Sequence, residues 1–366
     1  MKRELALEIL DKVMRWDGDQ AQREFSHLAL LARMKYDGYR GYVAGARFLE
    51  SLAYWLQQFE PGERAIAYDF LKKNLIYIGP EELQHLVELT YPQHIQPALA
   101  QEICSRLGVQ RHRIWSDVAA NAAYRALLRR TIFLGLSDGA RIDAFRRANE
   151  GLISNEQVAT TLEIDALRWA SLLKKLRKDT KDDAARFEFV FLIDDFMGSG
   201  KTLLRQEPNG GWDGKLERFW NVQRDHSDAL APNYTLVVHH HVASFLAAKN
   251  APGIEERART AHKDWMPRVQ FSYGLVLPKA AHHDVASAGD FSKLIEKYYN
   301  AKIETDSMKV GGEQAHYGFA KTGLFLVLEH NTPNNSIALL WAEADGDPPA
   351  PPMRPLFRRR QRHFGV

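Results

Sequence analysis

Two adjacent acidic residues at the end of an apolar run are the residues of this sequence best placed to do chemistry. Residues 189–193 read Phe-Val-Phe-Leu-Ile, and Asp194 and Asp195 follow them directly. An uninterrupted apolar run of this length is typical of a strand that is buried on both faces, as in a parallel sheet. Ligands of open α/β sheets bind at the carboxyl ends of strands. The sequence therefore places two carboxylates where a ligand would bind.

A glycine-rich loop follows the two acids. It contains Gly198, Ser199, Gly200, Lys201 and Thr202, and the sequence after it is predicted to be helical to about residue 206. Glycines let the backbone approach a ligand closely, and consecutive N–H groups at a helix N-terminus bind anions. The loop is therefore a candidate phosphate site.

Three interpretations of this loop are open. Its end, Gly-Ser-Gly-Lys-Thr, is similar to the end of the P-loop pattern Gly-x-x-x-x-Gly-Lys-Ser/Thr. That pattern requires glycine five residues before Gly200, where Asp195 stands instead, and a carboxylate would repel a triphosphate. The second interpretation keeps both acids as ligand-binding groups. The third is an acid pair at a strand end followed by an ordinary glycine-rich turn.

The second interpretation rests on a resemblance. Residues 189–202 resemble the fingerprint of type I phosphoribosyltransferases: an apolar strand, two acids, two apolar residues and a loop of small residues that ends in Thr. In that family the acids bind the ribose hydroxyls of phosphoribosyl pyrophosphate (PRPP), and the loop binds its 5′-phosphate. The resemblance implies that Asp194 and Asp195 are the catalytic pair. It implies a phosphate loop formed by Phe196, Met197, Gly198, Ser199, Gly200, Lys201 and Thr202. Lys201 departs from the small residue usual at its position.

A second loop is a candidate for binding pyrophosphate. Residues 131–136 are predicted to form a strand and residues 142–149 a helix, which is the first half of a βαβ unit. The resemblance places a pyrophosphate loop after the first core strand. The residues implied are Ser137, Asp138, Gly139 and Arg141. Gly139 would permit an unusual backbone and Arg141 would pair with the pyrophosphate. A polar turn with a surface arginine is the alternative.

The order of elements predicts an α/β fold. Strand-like segments at residues 131–136, 155–163, 189–193, 234–239 and 269–277 alternate with helix-like segments. This order gives a parallel sheet with right-handed crossovers. Together with the resemblance, it predicts a type I phosphoribosyltransferase-like parallel sheet with flanking helices, preceded by an α-helical N-terminal domain.

Three segments are predicted: a helical domain at residues 1–128, the phosphoribosyltransferase-like α/β domain at 129–347, and a Pro-rich basic tail at 348–366. The first has helical apolar spacing and a Gly79-Pro80 helix start. The tail carries five arginines: Arg354, Arg358, Arg359, Arg360 and Arg362. Such a tail is a flexible solvated end or a contact for nucleic acid or an acidic partner.

Histidines 239–241 follow the fourth predicted strand. Because successive strand residues point to opposite faces, only His239 and His241 could bind one metal ion. Two ligands do not complete a site, so we assign no protein metal ligand, and a polar strand end or a contact to the acceptor is the alternative. Residues 329–336, Glu-His-Asn-Thr-Pro-Asn-Asn-Ser, are either a site loop or an Asn/Pro turn.

Composition limits the class of protein. The chain has 366 residues and a formal net charge of +3, too small to indicate nucleic-acid binding by itself. Its single cysteine, Cys104, excludes an intramolecular disulfide and a multi-cysteine metal site. It contains no apolar signal core and no run of membrane-spanning length, so we expect a cytoplasmic protein without a membrane partner.

A narrower resemblance is to phosphoribosyltransferase-like (PRTase-CE-like) proteins of bacterial conflict and defence loci, some encoded beside retron or nucleotide-signalling genes. It rests on the Asp-Asp loop, residues 330–335, Trp341 and residues 355–357, and covers roughly residues 59–357. It implies PRPP or a related ribose-phosphate nucleotide with Mg²⁺, pentosyl transfer or nucleotide glycosidase chemistry, and an effector role in anti-phage defence. The implied partner is a defence-system protein or nucleic acid, such as a retron reverse transcriptase or its msDNA.

Two other functions remain open. One is a non-catalytic module that senses PRPP or a nucleotide, because ligand sites often lose chemistry and keep binding. The other is an effector that acts on cellular nucleotides or tRNA and is held inactive by a partner.

Overall fold

The computed structural model of the chain describes residues 3–224, 226, 228–262, 268–312 and 315–360. The chain forms two units. The sheet unit is Leu83–Leu277, and the terminal unit combines Met1–Glu82 with Pro278–Val366. These boundaries differ from the predicted ones at residues 128 and 347.

Nine strands lie in the described ranges: β1 (Ile76–Ile78), β2 (Thr131–Gly135), β3 (Val158–Ala159), β4 (Phe187–Met197), β5 (Arg205–Gln206), β6 (Trp212–Asp213), β7 (Leu230–Ala243), β8 (Arg268–Val276) and β9 (Leu326–Leu328). Fourteen α-helices lie in the same ranges: α1 (Arg3–Met14), α2 (Gly18–Met34), α3 (Phe48–Gln57), α4 (Arg64–Asn74), α5 (Pro80–Thr90), α6 (Gln96–Leu107), α7 (Val118–Arg129), α8 (Ile142–Ala148), α9 (Ala166–Thr180), α10 (Lys215–Arg224), α11 (Phe245–Ala261), α12 (Phe291–Tyr298), α13 (Asp306–Lys309) and α14 (Ala338–Trp341). None of these helices is long and apolar enough to cross a membrane.

A five-stranded parallel sheet of order β3-β2-β4-β7-β8 forms the centre of the sheet unit. The prediction of a parallel sheet with flanking helices and a preceding helical region is confirmed. The central strand β4 is long and apolar, and it pairs on both sides, with β2 and with β7. Such a strand has no solvated face, which explains its continuous apolar run.

Both faces of the sheet are covered by helices. Val190 and Leu192 of β4 belong to one core cluster, which also contains residues of α9, α10 and α11. Phe189, Phe191 and Ile193 belong to the opposite cluster, which contains residues of α6, α7 and α8. This alternation follows from the two-residue period of a strand. The carboxyl end of β4 is therefore held between two layers of packed helices.

The structure corrects three sequence predictions around the site. Strand β4 does not end at residue 193 but includes Asp194 and Asp195. Strand β7 likewise continues through His239, His240 and His241, because its pairing with β4 extends beyond them. The helix predicted after Thr202 is wrong: a turn and the antiparallel pair β5–β6 follow, and the next helix, α10, begins at Lys215.

The terminal unit brings distant parts of the sequence together. Strand β1 pairs in parallel with β9. The indole Nε1 of Trp55 in α3 donates to the carbonyl oxygen of Leu339 in α14, at 2.7 Å. Trp55 and Phe59 are buried in the core of this unit. Because segments from the N-terminal and C-terminal parts of the chain pair with each other, the compact terminal unit extends past residue 347.

The polar loop at residues 329–336 holds the C-terminal segment. The Thr332 hydroxyl donates to the carbonyl oxygen of Phe357 at 3.1 Å, and the Asn331 side chain accepts from the Arg360 N–H at 3.0 Å. Leu356 and Phe357 are buried in the core of the terminal unit. The prediction of a solvated tail is therefore wrong for these residues. Arg362 lies outside the described residues.

Candidate functional site

Asp194 is the centre of the candidate site. It lies in the central strand of the sheet, opposite His240 of β7, and its side chain has no exposed surface. The preceding residue, Ile193, pairs with Gly135, the last residue of β2. The loop after β2 therefore begins beside Asp194, as expected for neighbouring parallel strands.

The Asp194 carboxylate is fully engaged within the protein. Its Oδ1 accepts from the Ser137 hydroxyl and from the Asp195 N–H, the latter at 3.1 Å, and its Oδ2 forms an ion pair with the Lys215 ammonium group. The Nε2 atom of His240 lies 3.9 Å from Oδ2. Burial raises the pKa of Asp194, and the Lys215 charge opposes that shift. A buried carboxylate requires such partners, because losing water without them is costly.

Asp195 differs from Asp194 in exposure. Neighbouring residues of a strand direct their side chains to opposite faces, and Asp195 is only half-buried. Its Oδ1 accepts from the Phe196 N–H at 2.7 Å. Asp195 is thus the more exposed carboxylate of the pair.

The glycine-rich loop is anchored to α11. Ser244, the N-cap of α11, donates its hydroxyl to the carbonyl oxygen of Gly198, and its N–H bonds to the Met197 carbonyl at 2.9 Å. Gly200 has φ +82°, and a Cβ atom there would lie 2.6 Å from Cδ1 of Ile254. The positive φ favours glycine there, because another residue would be strained in that conformation whatever the space around it.

Within the described residues, the backbone N–H groups of Gly198, Ser199 and Gly200 have no hydrogen-bond acceptor. Lys201 and Thr202 are exposed at the end of the loop. Successive backbone N–H groups in a tight loop form an anion-binding nest. This geometry can hold a phosphate without the helix N-terminus that the sequence predicted.

The loop after β2 meets the acids through Ser137. The Gly139 N–H donates to Ser137 Oγ at 3.2 Å, and Asp138 is exposed. The unusual backbone conformation lies at Arg141, with φ +53°, and not at Gly139 as expected. His241 Nε2 lies 3.2 Å from the carbonyl oxygen of Ala140 and fixes this turn to β7.

Histidines 239–241 occupy the interior of β7, not its end. The Thr90 hydroxyl lies 3.3 Å from His239 Nε2 and 3.4 Å from His241 Nδ1, and His94 packs on the His239 ring. Burial lowers the pKa of His240 to about 3 and that of His241 to about 4, so both are neutral at pH 7. No group of three or more His, Cys, Asp or Glu side chains within the described residues could hold a metal ion.

Lys215 is a site residue that sequence reasoning missed, and His240 is one that it did not distinguish from His239 and His241. A β-hairpin separates Lys215 from Asp194 in the sequence, so the sequence does not show that the two side chains are close in space. The N–H of Lys215 donates to the Thr202 carbonyl oxygen at 3.1 Å. No motif contains it, so only the fold identifies it. His240 could have been found, because alternation along β7 separates it from His239 and His241.

The sequence that builds this site matches a known protein family. The family model described as PRTase-CE matches residues 52–359. The chain belongs to the PRTase-CE family. It is a phosphoribosyltransferase-like protein, and the resemblance inferred from the Asp-Asp loop is confirmed. No match was found among curated proteins or among solved structures. The defence association and the roles of individual site residues in this PRTase-CE protein stay predictions.

Proposed function

We propose that this PRTase-CE protein binds PRPP or a related ribose-phosphate nucleotide at the carboxyl edge of its sheet and transfers or releases the pentosyl group. The observation that supports this most is the convergence of three elements on Asp194. Ser137 comes from the loop after β2, Lys215 from α10, and the glycine loop continues from β4 itself. In this proposal Asp195 and the loop N–H groups contact the ligand, and Asp194 fixes the position of the loops.

The proposed chemistry requires no protein nucleophile. Departure of pyrophosphate leaves positive charge on the anomeric carbon of the ribose. The half-exposed carboxylate of Asp195 stabilises that charge electrostatically, with Asp194 behind it. The turn at Ser137 to Arg141 neutralises the leaving pyrophosphate through N–H groups and a guanidinium. The glycine loop holds the 5′-phosphate and thereby orients the ribose.

The residues present fit a hydrated Mg²⁺. Mg²⁺ prefers oxygen ligands and keeps several waters, so one carboxylate with substrate oxygens is enough. Asp195 is the residue to hold it, because its carboxylate is half-exposed whereas Asp194 has no exposed surface. When bound, Mg²⁺ would neutralise charge on the pyrophosphate.

Titration calorimetry with PRPP and Mg²⁺ tests the proposal. We expect Asp195→Asn to weaken PRPP binding by at least about tenfold, since it removes a charged hydrogen-bond acceptor. Asp143→Asn, an equal charge change at an exposed position of α8, should bind like the wild type. ATP with Mg²⁺ is the comparison ligand. Binding of ATP without PRPP, with the ATP binding lost in Asp195→Asn, would replace this proposal with the triphosphate interpretation of the glycine loop.

A non-catalytic ligand-binding module is the second candidate. The full engagement of Asp194 by Ser137 and Lys215 favours it, because one carboxylate of the pair is then withheld from the ligand. Release of pyrophosphate from PRPP, with a nucleobase mixture as acceptor or with water, separates the two candidates. Binding without release identifies the module; release that Asp195→Asn abolishes identifies the enzyme.

We also propose that the protein acts as a defence effector with a protein or nucleic-acid partner. The support is the resemblance to proteins of conflict loci. Expression in bacteria challenged with phage is the test, with Asp195→Asn as the site variant and Asp143→Asn as the control. Equal phage growth in all three strains would remove this part of the proposal and leave the ligand site unaffected.

A further inference from the structure

A cavity lies in the sheet unit, apart from the site described above. Its volume is about 1020 Å³, and it lies between α7, α8 and the segment from Asn149 to β3. None of the residues assigned to the PRPP site lines it. The function proposed above leaves this cavity unexplained.

The lining of the cavity carries more positive than negative charge. Its lining includes four arginines: Arg125, Arg129, Arg146 and Arg147. Of its two acids, Glu156 is already paired with Lys175 at 2.6 Å. Arg125 and Arg147 are exposed and have no ion-pair partner in the part of the chain that the structure describes.

One arginine of the lining is held in place with part of its hydrogen-bonding capacity unused. The Nε atom of Arg129 donates to Asp179 at 3.0 Å, whereas its Nη1 is buried and has no hydrogen-bond partner among the residues that the structure describes. A buried donor left unpaired is costly, and an anionic ligand would satisfy it. Asp179 thus orients the Arg129 guanidinium at the wall of the cavity.

An exposed aromatic ring lies beside these charges. Trp115, 49% exposed, lines the cavity and contacts the Tyr124 ring edge-on, with centroids 5.0 Å apart. The Tyr124 hydroxyl lies 3.0 Å from that of Tyr91, which fixes the Tyr124 ring. The turn before Trp115, Arg111–Arg113, is exposed and adds further positive charge.

We propose that this cavity binds a nucleotide, with its phosphate on Arg125, Arg129 and Arg147 and its base on Trp115. Guanidinium groups bind phosphate oxygens in a bidentate manner, and aromatic rings stack on nucleobases. The volume lies at the upper end of small-molecule sites, so a whole nucleotide fits. The same chemistry accepts a free nucleotide or one within a single strand.

Binding assays with two probes separate these sources. The free probe is ATP, and the polymeric probe is a fluorescein-labelled single-stranded oligo(dT) of about twelve nucleotides. The test variant is Arg125→Gln/Arg147→Gln. Its matched control is Arg33→Gln/Arg218→Gln, which removes the same charge from two exposed arginines outside the cavity.

We expect at least one probe to bind at least tenfold more weakly to the test variant, and the control to bind like the wild type. For the oligonucleotide, the negative slope of log K against log salt should become shallower by about 1.4 in the test variant, because two phosphate contacts at about 0.7 each are lost. Trp115→Ala should weaken the same probe by at least about fivefold through loss of stacking. Preference for ATP identifies a free-nucleotide site, and preference for the oligonucleotide a single-strand site.

Three results would overturn the inference: no binding of either probe, equal loss in the test and control variants, or loss of all nucleotide binding in Asp195→Asn. The last result would assign nucleotide binding to the PRPP site. PRPP binding should be unchanged in Arg125→Gln/Arg147→Gln, so failure of one proposal is distinguishable from failure of the other.

Discussion

Lys215 is the residue on which the local charge balance of the site depends. It is the cationic partner of a carboxylate that has no exposed surface. Removing one partner of a buried ion pair leaves an uncompensated charge, which costs more than the pair itself contributes. Loss of the Lys215 charge is therefore expected to affect both the stability of the fold and ligand binding, and the two effects can be measured separately.

We expect Lys215→Met to lower the free energy of unfolding by about 2 kcal/mol, less than the 3–5 kcal/mol of a fully buried pair because the lysine side chain is 22% exposed. Adding Asp194→Asn should restore part of that loss. Urea denaturation followed by circular dichroism is the measurement. Arg218→Met, an exposed position of the same helix, is the control. A loss no larger than that of the control would show that the ion pair does not stabilise the fold.

Gly200 permits a second prediction at a single position. Gly200→Ala introduces a Cβ at φ +82° and within 2.6 Å of Ile254 and 2.9 Å of Met197. We expect destabilisation of about 1–3 kcal/mol by thermal or urea unfolding, and weaker PRPP binding. Gly253→Ala in α11 meets only the Arg257 side chain at 3.5 Å, and should be neutral or stabilising. Equal effects of the two substitutions would contradict the assigned backbone role.

At the scale of elements, apolar runs made the sheet predictable. β2 and β4 were found because neither face of these strands contacts water, so their sequence has no polar alternation to confuse the assignment. Helix α9 has a local start signal, the N-cap Asp165, which accepts from the Arg168 N–H at 2.7 Å. The apolar runs also gave the positions of Asp194 and of the loops after β2 and β4, because these residues directly follow the two runs.

The elements that sequence reasoning missed depend on contacts that no local pattern records. The pair β5–β6 replaced a predicted helix because the Gly-rich hairpin between them reverses the chain. That reversal brings Lys215 to Asp194. The polar loop at residues 329–336 has the composition of a site, yet Thr332 and Asn331 bind backbone groups of the C-terminal segment.

Strand β7 makes the stability of the sheet unit dependent on pH. His240 and His241 are neutral in the folded protein because burial lowers their pKa values to about 3 and about 4. In the unfolded chain the pKa of histidine is about 6.5. Below that pH the unfolded state binds protons that the folded state does not, so the free energy of unfolding falls as the pH falls.

We expect a loss of about 2 kcal/mol for each of these histidines between pH 7 and pH 5. Urea unfolding at several pH values measures it. His241→Gln should make the dependence shallower, whereas His85→Gln, at an exposed position of α5, should leave it unchanged. Carboxylates with lowered pKa values titrate mainly below this window. An unaltered slope in His241→Gln would show that His241 is not the group responsible.

At the scale of the whole molecule, each unit has its own core. The two core clusters of the sheet unit contain only residues between Leu83 and Leu277, and the cluster of the terminal unit contains none of them. A segment whose apolar surface is buried by its own elements is expected to fold independently. The predicted helical domain at residues 1–128 does not have this property, because most of α5 and all of α6 and α7 belong to the sheet unit.

We expect a fragment of residues 83–277 to fold cooperatively, with the circular dichroism of an α/β protein and a single unfolding transition. Residues 1–128 alone should lack such a transition, since β1 loses its partner β9. Analytical ultracentrifugation excludes aggregation as the cause. A non-cooperative 83–277 fragment would mean that the sheet unit requires the terminal unit.

The pairing of Ile76 with Leu326 in β1 and β9 has a consequence for synthesis. Because a ribosome releases the chain from its N-terminus, α1 to α4 emerge long before the strand that completes their core. The sheet unit is translated entirely within that interval and can fold first. The N-terminal helices then expose their apolar faces until residue 328 leaves the exit tunnel, and during this time they are natural clients for a chaperone.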